Sequence, residues 1–138
     1  MSVATSGASL IDWTMLSAAR IELGASFVRI LGYFREDGEK SVSAIEAAMR
    51  AGNAAAMVIP AHTLKGESAQ FGAEALSASA EAIELIARDC VENHDSPDEA
   101  LEHIVGLRAL FNETLVLLER ETNPLVERRP AAFGRRAL

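Results

Sequence analysis

Apolar residues return every three or four positions along most of the chain, the spacing of one buried helix face. Ile11 and Leu16 bracket a short first segment that Asp12 caps and Gly24 ends, which predicts a helix to about Leu23 whose Trp13 and Leu16 cover one end of the domain. From about Ala25, the positions Phe27, Ile30, Leu31, Phe34, Val42, Ile45, Ala48 and Met49 hold one phase, with a gap over Glu36-Asp37-Gly38-Glu39-Lys40. A loop would fit the gap, but the apolar face resumes in phase. One long helix to about Ala51 is therefore expected, its middle exposed or slightly bent at Gly38. Gly52 then supplies a stop and Asn53 a cap, the signature of a tight antiparallel turn.

A third helix over about residues 54–71 places Met57, Leu64 and Phe71 on one stripe, and Pro60 within it removes a backbone donor and predicts a kink. Gly72 breaks the pattern. A fourth helix follows from about Ala73 to Val91 on Leu76, Ala80, Ile83, Ala87 and Cys90. Ser96-Pro97-Asp98-Glu99 reads as a helix start in which Ser96 and Glu99 form a capping box and Pro97 takes the first helical position. The fifth helix is expected to run to about Glu121 with Leu101, Ile104, Phe111, Leu115 and Leu118 as its seam, Arg108 in that seam reaching out to solvent. Together these elements predict an all-α fold: an antiparallel four-helix bundle of the second to fifth helices, with the short first helix packed on one end.

Composition narrows the class. The 138 residues suffice for one domain with a real core, and 49% hydrophobic against 24% charged residues describes a globular chain. The domain is expected over residues 10–122, after a disordered start at residues 1–9. Residues 123–138 hold Arg128, Arg129, Arg135 and Arg136 against Glu127, so this segment is +3 while the rest is -10 of the total -7; it is expected to be a flexible basic tail. An acidic body argues against nucleic acid as a partner. Cys90 has no second cysteine to pair with and sits at an apolar helix position. The start has neither a basic segment nor an apolar run of signal-peptide length, and the longest uncharged central run, Ala51 to Leu64, is shorter than a membrane span. The expectation is a cytoplasmic protein without membrane attachment.

The candidate chemistry lies on the third helix. At about 100° per residue, His62, Lys65, Gly66 and Ala69 fall nearly opposite the Met57, Leu64 and Phe71 stripe, so His62 faces water. A lone helical histidine is by itself an ordinary surface or core residue. Two neighbours change that. Glycine in a helix interior costs about 1 kcal/mol relative to alanine, so Gly66 calls for a reason such as the close approach of another surface. Lys65 stands within a turn of His62 and can set an ammonium beside a group carried on the ring. Val58 and Ile59 flank this face either as a docking rim or as packing against the second helix. On the fourth helix, Glu84 and Glu81 are both placed to reach a neighbouring helix. His94 and His103 make no metal-ligand spacing, and no facing E-x-x-H repeats occur, so no metal is expected. No glycine-rich phosphate loop and no nucleophile elbow is present.

The run Ala61-His62-Thr63-Leu64-Lys65-Gly66, followed by Phe71-Gly72-Ala73, Leu76 and then Ile83-Glu84, resembles the histidine phosphotransfer domains of bacterial phosphorelays over roughly residues 10–121. It departs at Glu67, where that family usually has a small residue. The resemblance implies that His62 carries a phosphoryl group on its outer ring nitrogen, that Glu84 holds the inner one, and that Lys65 stabilises charge on the phosphoryl oxygens. It implies a partner surface over Val58, Ile59, Gly66 and Ala69. Partners would be response-regulator receiver domains and a hybrid histidine kinase. The chain is expected to act as a monomeric phosphocarrier, not a kinase, with no cofactor of its own and Mg²⁺ held in the receiver. The competing reading is a helical adaptor that binds through the same face without transfer.

Overall fold

A computed structural model describes residues 10–122; the expected disordered start (1–9) and basic tail (123–138) lie outside the described residues. Asp12 opens α1 (Trp13–Leu23), its Oδ1 accepting from the backbone N–H groups of Thr14 at 3.1 Å and Met15 at 3.2 Å, donors that the first helical turn leaves without partners. Gly24 ends α1, and one 3-10 turn leads into α2 (Phe27–Ala51). Gly52, at φ 64°, takes the left-handed conformation and returns its N–H to the carbonyls of Ala48 and Met49. Asn53 Oδ1 then accepts from the Ala56 N–H at 3.1 Å and starts α3 (Ala54–Gln70). The chain therefore reverses within two residues, and α3 packs antiparallel on α2.

After Gly72 come α4 (Glu74–Asn93), a 3-10 turn at Asp98–Ala100, α5 (Leu101–Val105) and α6 (Leu107–Thr122). No strand occurs among the described residues. The fold is an all-α antiparallel bundle of α2, α3, α4 and the α5–α6 arm, with α1 across one end. The α3–α4 pair is the most extensively packed. Met57, Ala61 and Leu64 of α3, Phe71 at its C-terminal cap, and Leu76, Ala80, Ile83 and Ala87 of α4 have no exposed surface. Rings run along the core from Phe27 to Phe71 (5.6 Å between centroids), Phe71 to Phe34 (5.3 Å) and Phe34 to Phe111 (5.8 Å).

Gly72 does more than end a helix. At φ 73° it receives the Asp12 N–H on its carbonyl at 2.7 Å, and a Cβ there would lie 2.7 Å from the Asp12 carbonyl oxygen. The start of α1 is hooked onto the α3–α4 corner at this point.

Several local expectations are corrected. The charged stretch in α2 is helical throughout, but Gly38 is buried: a Cβ on it would meet Phe111 Cε1 at 2.4 Å, so glycine there admits a ring from α6 and does not mark an exposed middle. Trp13 is 44% exposed, and the apolar cover at this end comes from Leu16 and Ala19 of α1 and from Ile11 just before it. The capping box does not form. Ser96 Oγ donates instead to Asp98 Oδ1 at 2.7 Å, and the helix begins as a 3-10 turn. Gly106 divides the expected fifth helix into α5 and α6, which leaves Leu101 exposed and puts Leu107 and Thr114 in the core. Arg108 reaches α2, not solvent: its Nε and Nη2 hold Glu46 at 3.1 and 2.9 Å, its Nη1 holds Glu39 at 2.9 Å, and Ser43 accepts at 3.0 Å. Those contacts keep the Glu39 carboxyl below its ordinary range.

Candidate functional site

The Met57–Leu64–Phe71 stripe is pinned in the core, and this fixes the rotation of α3 about its axis. The opposite face, with His62, Gly66 and Ala69, is thereby turned to solvent. α4 is locked beside it by its own buried stripe and by the Ser77 hydroxyl, which donates to the Lys65 carbonyl at 3.0 Å. Glu84 sits at the edge of the α4 stripe and is buried, 4% exposed. A carboxylate in that position has to be partnered. Its Oε2 lies 3.0 Å from His62 Nδ1 and 2.8 Å from Arg88 Nε, with Arg88 Nη2 also at 2.8 Å, while its Oε1 lies 2.9 Å from Lys65 Nζ.

Burial would push the Glu84 carboxyl up; the hydrogen bonds from Lys65, Arg88 and His62 and the Lys65 charge outweigh it and hold it at about 2. The group is therefore a carboxylate at neutral pH and only accepts hydrogen bonds. Its contact with the ring makes Nδ1 the protonated nitrogen and leaves the Nε2 lone pair on the far edge of an imidazole that is 57% exposed. A ring nitrogen facing solvent, with the opposite nitrogen held from behind, is what the arrangement provides.

The structure brings His62, Lys65 and Glu84 together and leaves Glu81 exposed on the preceding turn of α4. Of the expected rim, Ile59 is 67% exposed while Val58 is partly buried against the core. Gly66 has open space where a Cβ would project, so nothing within the bundle requires glycine there. Ala69 lines a shallow cavity of about 300 Å³ shared with Met15, Gly72, Ser77 and Glu81, which extends the face toward α1. Glu67 points away from His62, toward α2, where burial and Asp37 raise its carboxyl pKa. Sequence reasoning missed Arg88, although its position four residues after Glu84 on one helix was the available signal.

The depressed Glu84 pKa has a thermodynamic consequence. A carboxyl whose folded value lies below its unfolded one stabilises the protein above the unfolded value, near 4.5, and loses that contribution as pH falls toward 2. The shift sets a ceiling of about 3 kcal/mol, and screening of partners that are 30%, 54% and 57% exposed lowers it to on the order of 1–2 kcal/mol. Urea unfolding of wild type and Glu84→Gln should show that gap near neutral pH and a vanishing gap as pH drops from about 4.5 to about 2. A gap that does not change with pH would contradict the assignment.

Fold and site together define a class: an all-helical bundle presenting one exposed histidine braced from behind by an ionised carboxylate. A family model of the Hpt domain matches residues 29–120, and the chain belongs to the histidine phosphotransfer (Hpt) domain family. Among solved structures, histidine-containing phosphotransfer protein B from Pseudomonas aeruginosa PAO1 is similar, with a TM-score of 0.72 and 25% identity over 83% of this chain and 95% of that one. The comparison with curated proteins finds no match. Membership carries histidine phosphotransfer within phosphorelays and interaction with receiver domains and kinases; the family is not one of kinases. No helix among the described residues is long and apolar enough to cross a membrane.

Proposed function

We propose that this protein accepts a phosphoryl group on His62 from the phosphoaspartate of one receiver domain, itself part of a hybrid histidine kinase, and passes it to the aspartate of a second, response-regulator receiver. The observation that carries the reading is the Glu84 contact on His62 Nδ1, which aims Nε2 outward. In the accepting step the Nε2 lone pair attacks phosphorus as the P–O bond of the acyl phosphate breaks, the electron pair leaving with the receiver's carboxylate. Nδ1 keeps its proton, donated to the Glu84 carboxylate, throughout. Lys65 stabilises charge on the transferring oxygens, and Gly66, Ile59, Val58 and Ala69 form the surface against which the receiver closes. Mg²⁺ belongs to the receiver, and this chain contributes no cofactor and no nucleotide site. It works as a monomeric carrier in the cytoplasm.

The test is transfer itself. The protein is incubated with a receiver domain phosphorylated by a small acyl phosphate in the presence of Mg²⁺. Acid-labile, base-stable label mapping to the peptide that holds His62 is the expected result. Failure of several receivers of the same cell to label it would favour the adaptor reading.

A further inference from the structure

The two oxygens of Glu84 divide its cations. Oε2 takes the directed contacts, from His62 Nδ1 on α3 and from both Nε and Nη2 of Arg88 one turn along α4. Oε1 takes Lys65 alone, at 2.9 Å. Lys65 thus holds Glu84 through one point contact, on a flexible four-carbon stem. Arg88 holds it through two donors of a planar group that does not lose its proton.

Phosphorylation of His62 changes the surroundings of this carboxylate. With phosphorus on Nε2 and a proton on Nδ1 the ring becomes cationic, and the phosphoryl dianion draws Lys65 away from Oε1. The cationic ring then stands as the counter-ion in place of Lys65, but its Nδ1–H is a stronger acid than that of the neutral ring, so a second cation on Glu84 is what keeps the carboxylate from taking that proton. The nearest proton is the one on His62 Nδ1, and its transfer to Glu84 would undo the control of the ring. Resting on the phosphocarrier reading, we propose that Arg88 is a positioning residue for transfer: it keeps Glu84 ionised and locked on His62 Nδ1 while Lys65 moves from Glu84 to the phosphoryl group. The step needs no further reactant, since the P–O pair leaves with the receiver's carboxylate and the ring keeps its proton.

Arg88 acting through Glu84 and Arg88 touching the phosphoryl group directly predict different double variants. Transfer rates from a phosphorylated receiver domain are compared for wild type, Arg88→Ala, Glu84→Gln and the combination. Arg88→Ala should slow transfer about tenfold, the scale of coupling within one hydrogen-bond network, and should add nothing in the Glu84→Gln background. An equal slowing in both backgrounds, or none in either, overturns the proposal. A second readout needs no phosphoryl group: ¹⁵N spectra of the His62 ring should show the Nδ1–H tautomer dominant in wild type and depleted in Arg88→Ala. An unchanged ring in Arg88→Ala would equally overturn it. If wild type accepts no label, the carrier reading fails alone, and the ring spectra still decide whether Arg88 governs the Glu84 contact.

Discussion

His62→Gln is expected to take up no label from a phosphorylated receiver under conditions that label the wild type fully. Glutamine keeps a polar side chain of similar reach, so the exposed face and the fold are retained, but its amide nitrogen has no free lone pair with which to attack phosphorus. The other described histidines cannot substitute. His94 occupies the left-handed cap of α4, and His103 faces Glu102 at 3.7 Å on the short α5; neither is paired with a buried carboxylate and a lysine. Variants at Glu84 should grade the effect. Glu84→Gln retains an acceptor for Nδ1 but drops the charge, and about a tenfold loss of rate is expected. Glu84→Ala removes acceptor and charge together, leaving Lys65 and Arg88 without their shared anion, and the loss should reach on the order of 10²-fold. Label retained in His62→Gln, or transfer untouched in Glu84→Ala, would place the chemistry elsewhere.

The largest effect on stability is expected at Gly38. Alanine is better than glycine in a helix interior by about 1 kcal/mol, yet Gly38→Ala should cost about 2–3 kcal/mol net and lower the melting temperature by roughly 10 °C. The added Cβ would lie 2.4 Å from Phe111 Cε1 and 2.7 Å from Cζ. Phe111 is buried and packs edge-on against Phe34, which in turn rests on Phe71, so the ring can shift only by giving up those contacts. Shortening the ring should relieve the strain, so that Gly38→Ala with Phe111→Leu is less destabilised than the two single changes summed. Gly32→Ala on the same helix is the control, because its Cβ meets nothing within 4 Å and should be neutral or slightly stabilising. Thermal unfolding of the four variants decides it. Equal behaviour of Gly32→Ala and Gly38→Ala would mean that the close approach of α6 to α2 is not a source of strain.

The positions read well from sequence are those where one local cause was enough. Gly52 and Asn53 give a turn whatever lies around them, and the phase of Met57, Leu64 and Phe71 sets which side of α3 is buried and so which side shows His62. The failures share a different cause. Gly38 looked like a weak point in a polar stretch because its reason is a phenyl ring 73 residues away. Arg108 looked like a solvated residue on an apolar seam because its acids lie on another helix. Ser96 and Glu99 matched a capping box, but a single local alternative, the Asp98 carboxylate, captured the serine hydroxyl. Within the site, spacing alone left Glu81 and Glu84 as alternatives, and only the resemblance favoured Glu84.

By itself, then, the sequence determined that the chain is helical, where most helices turn, and which face of α3 carries a histidine, a lysine and a bare glycine to solvent, since periodicity and turn chemistry act within a few residues. Only the tertiary structure decided that Glu84 lies under the His62 ring, that Arg88 and Lys65 divide its two oxygens, and that α6 leans into α2 at Gly38. Each of these depends on the rotation and distance of one helix against another, which are set by the whole buried core and by no local stretch of it.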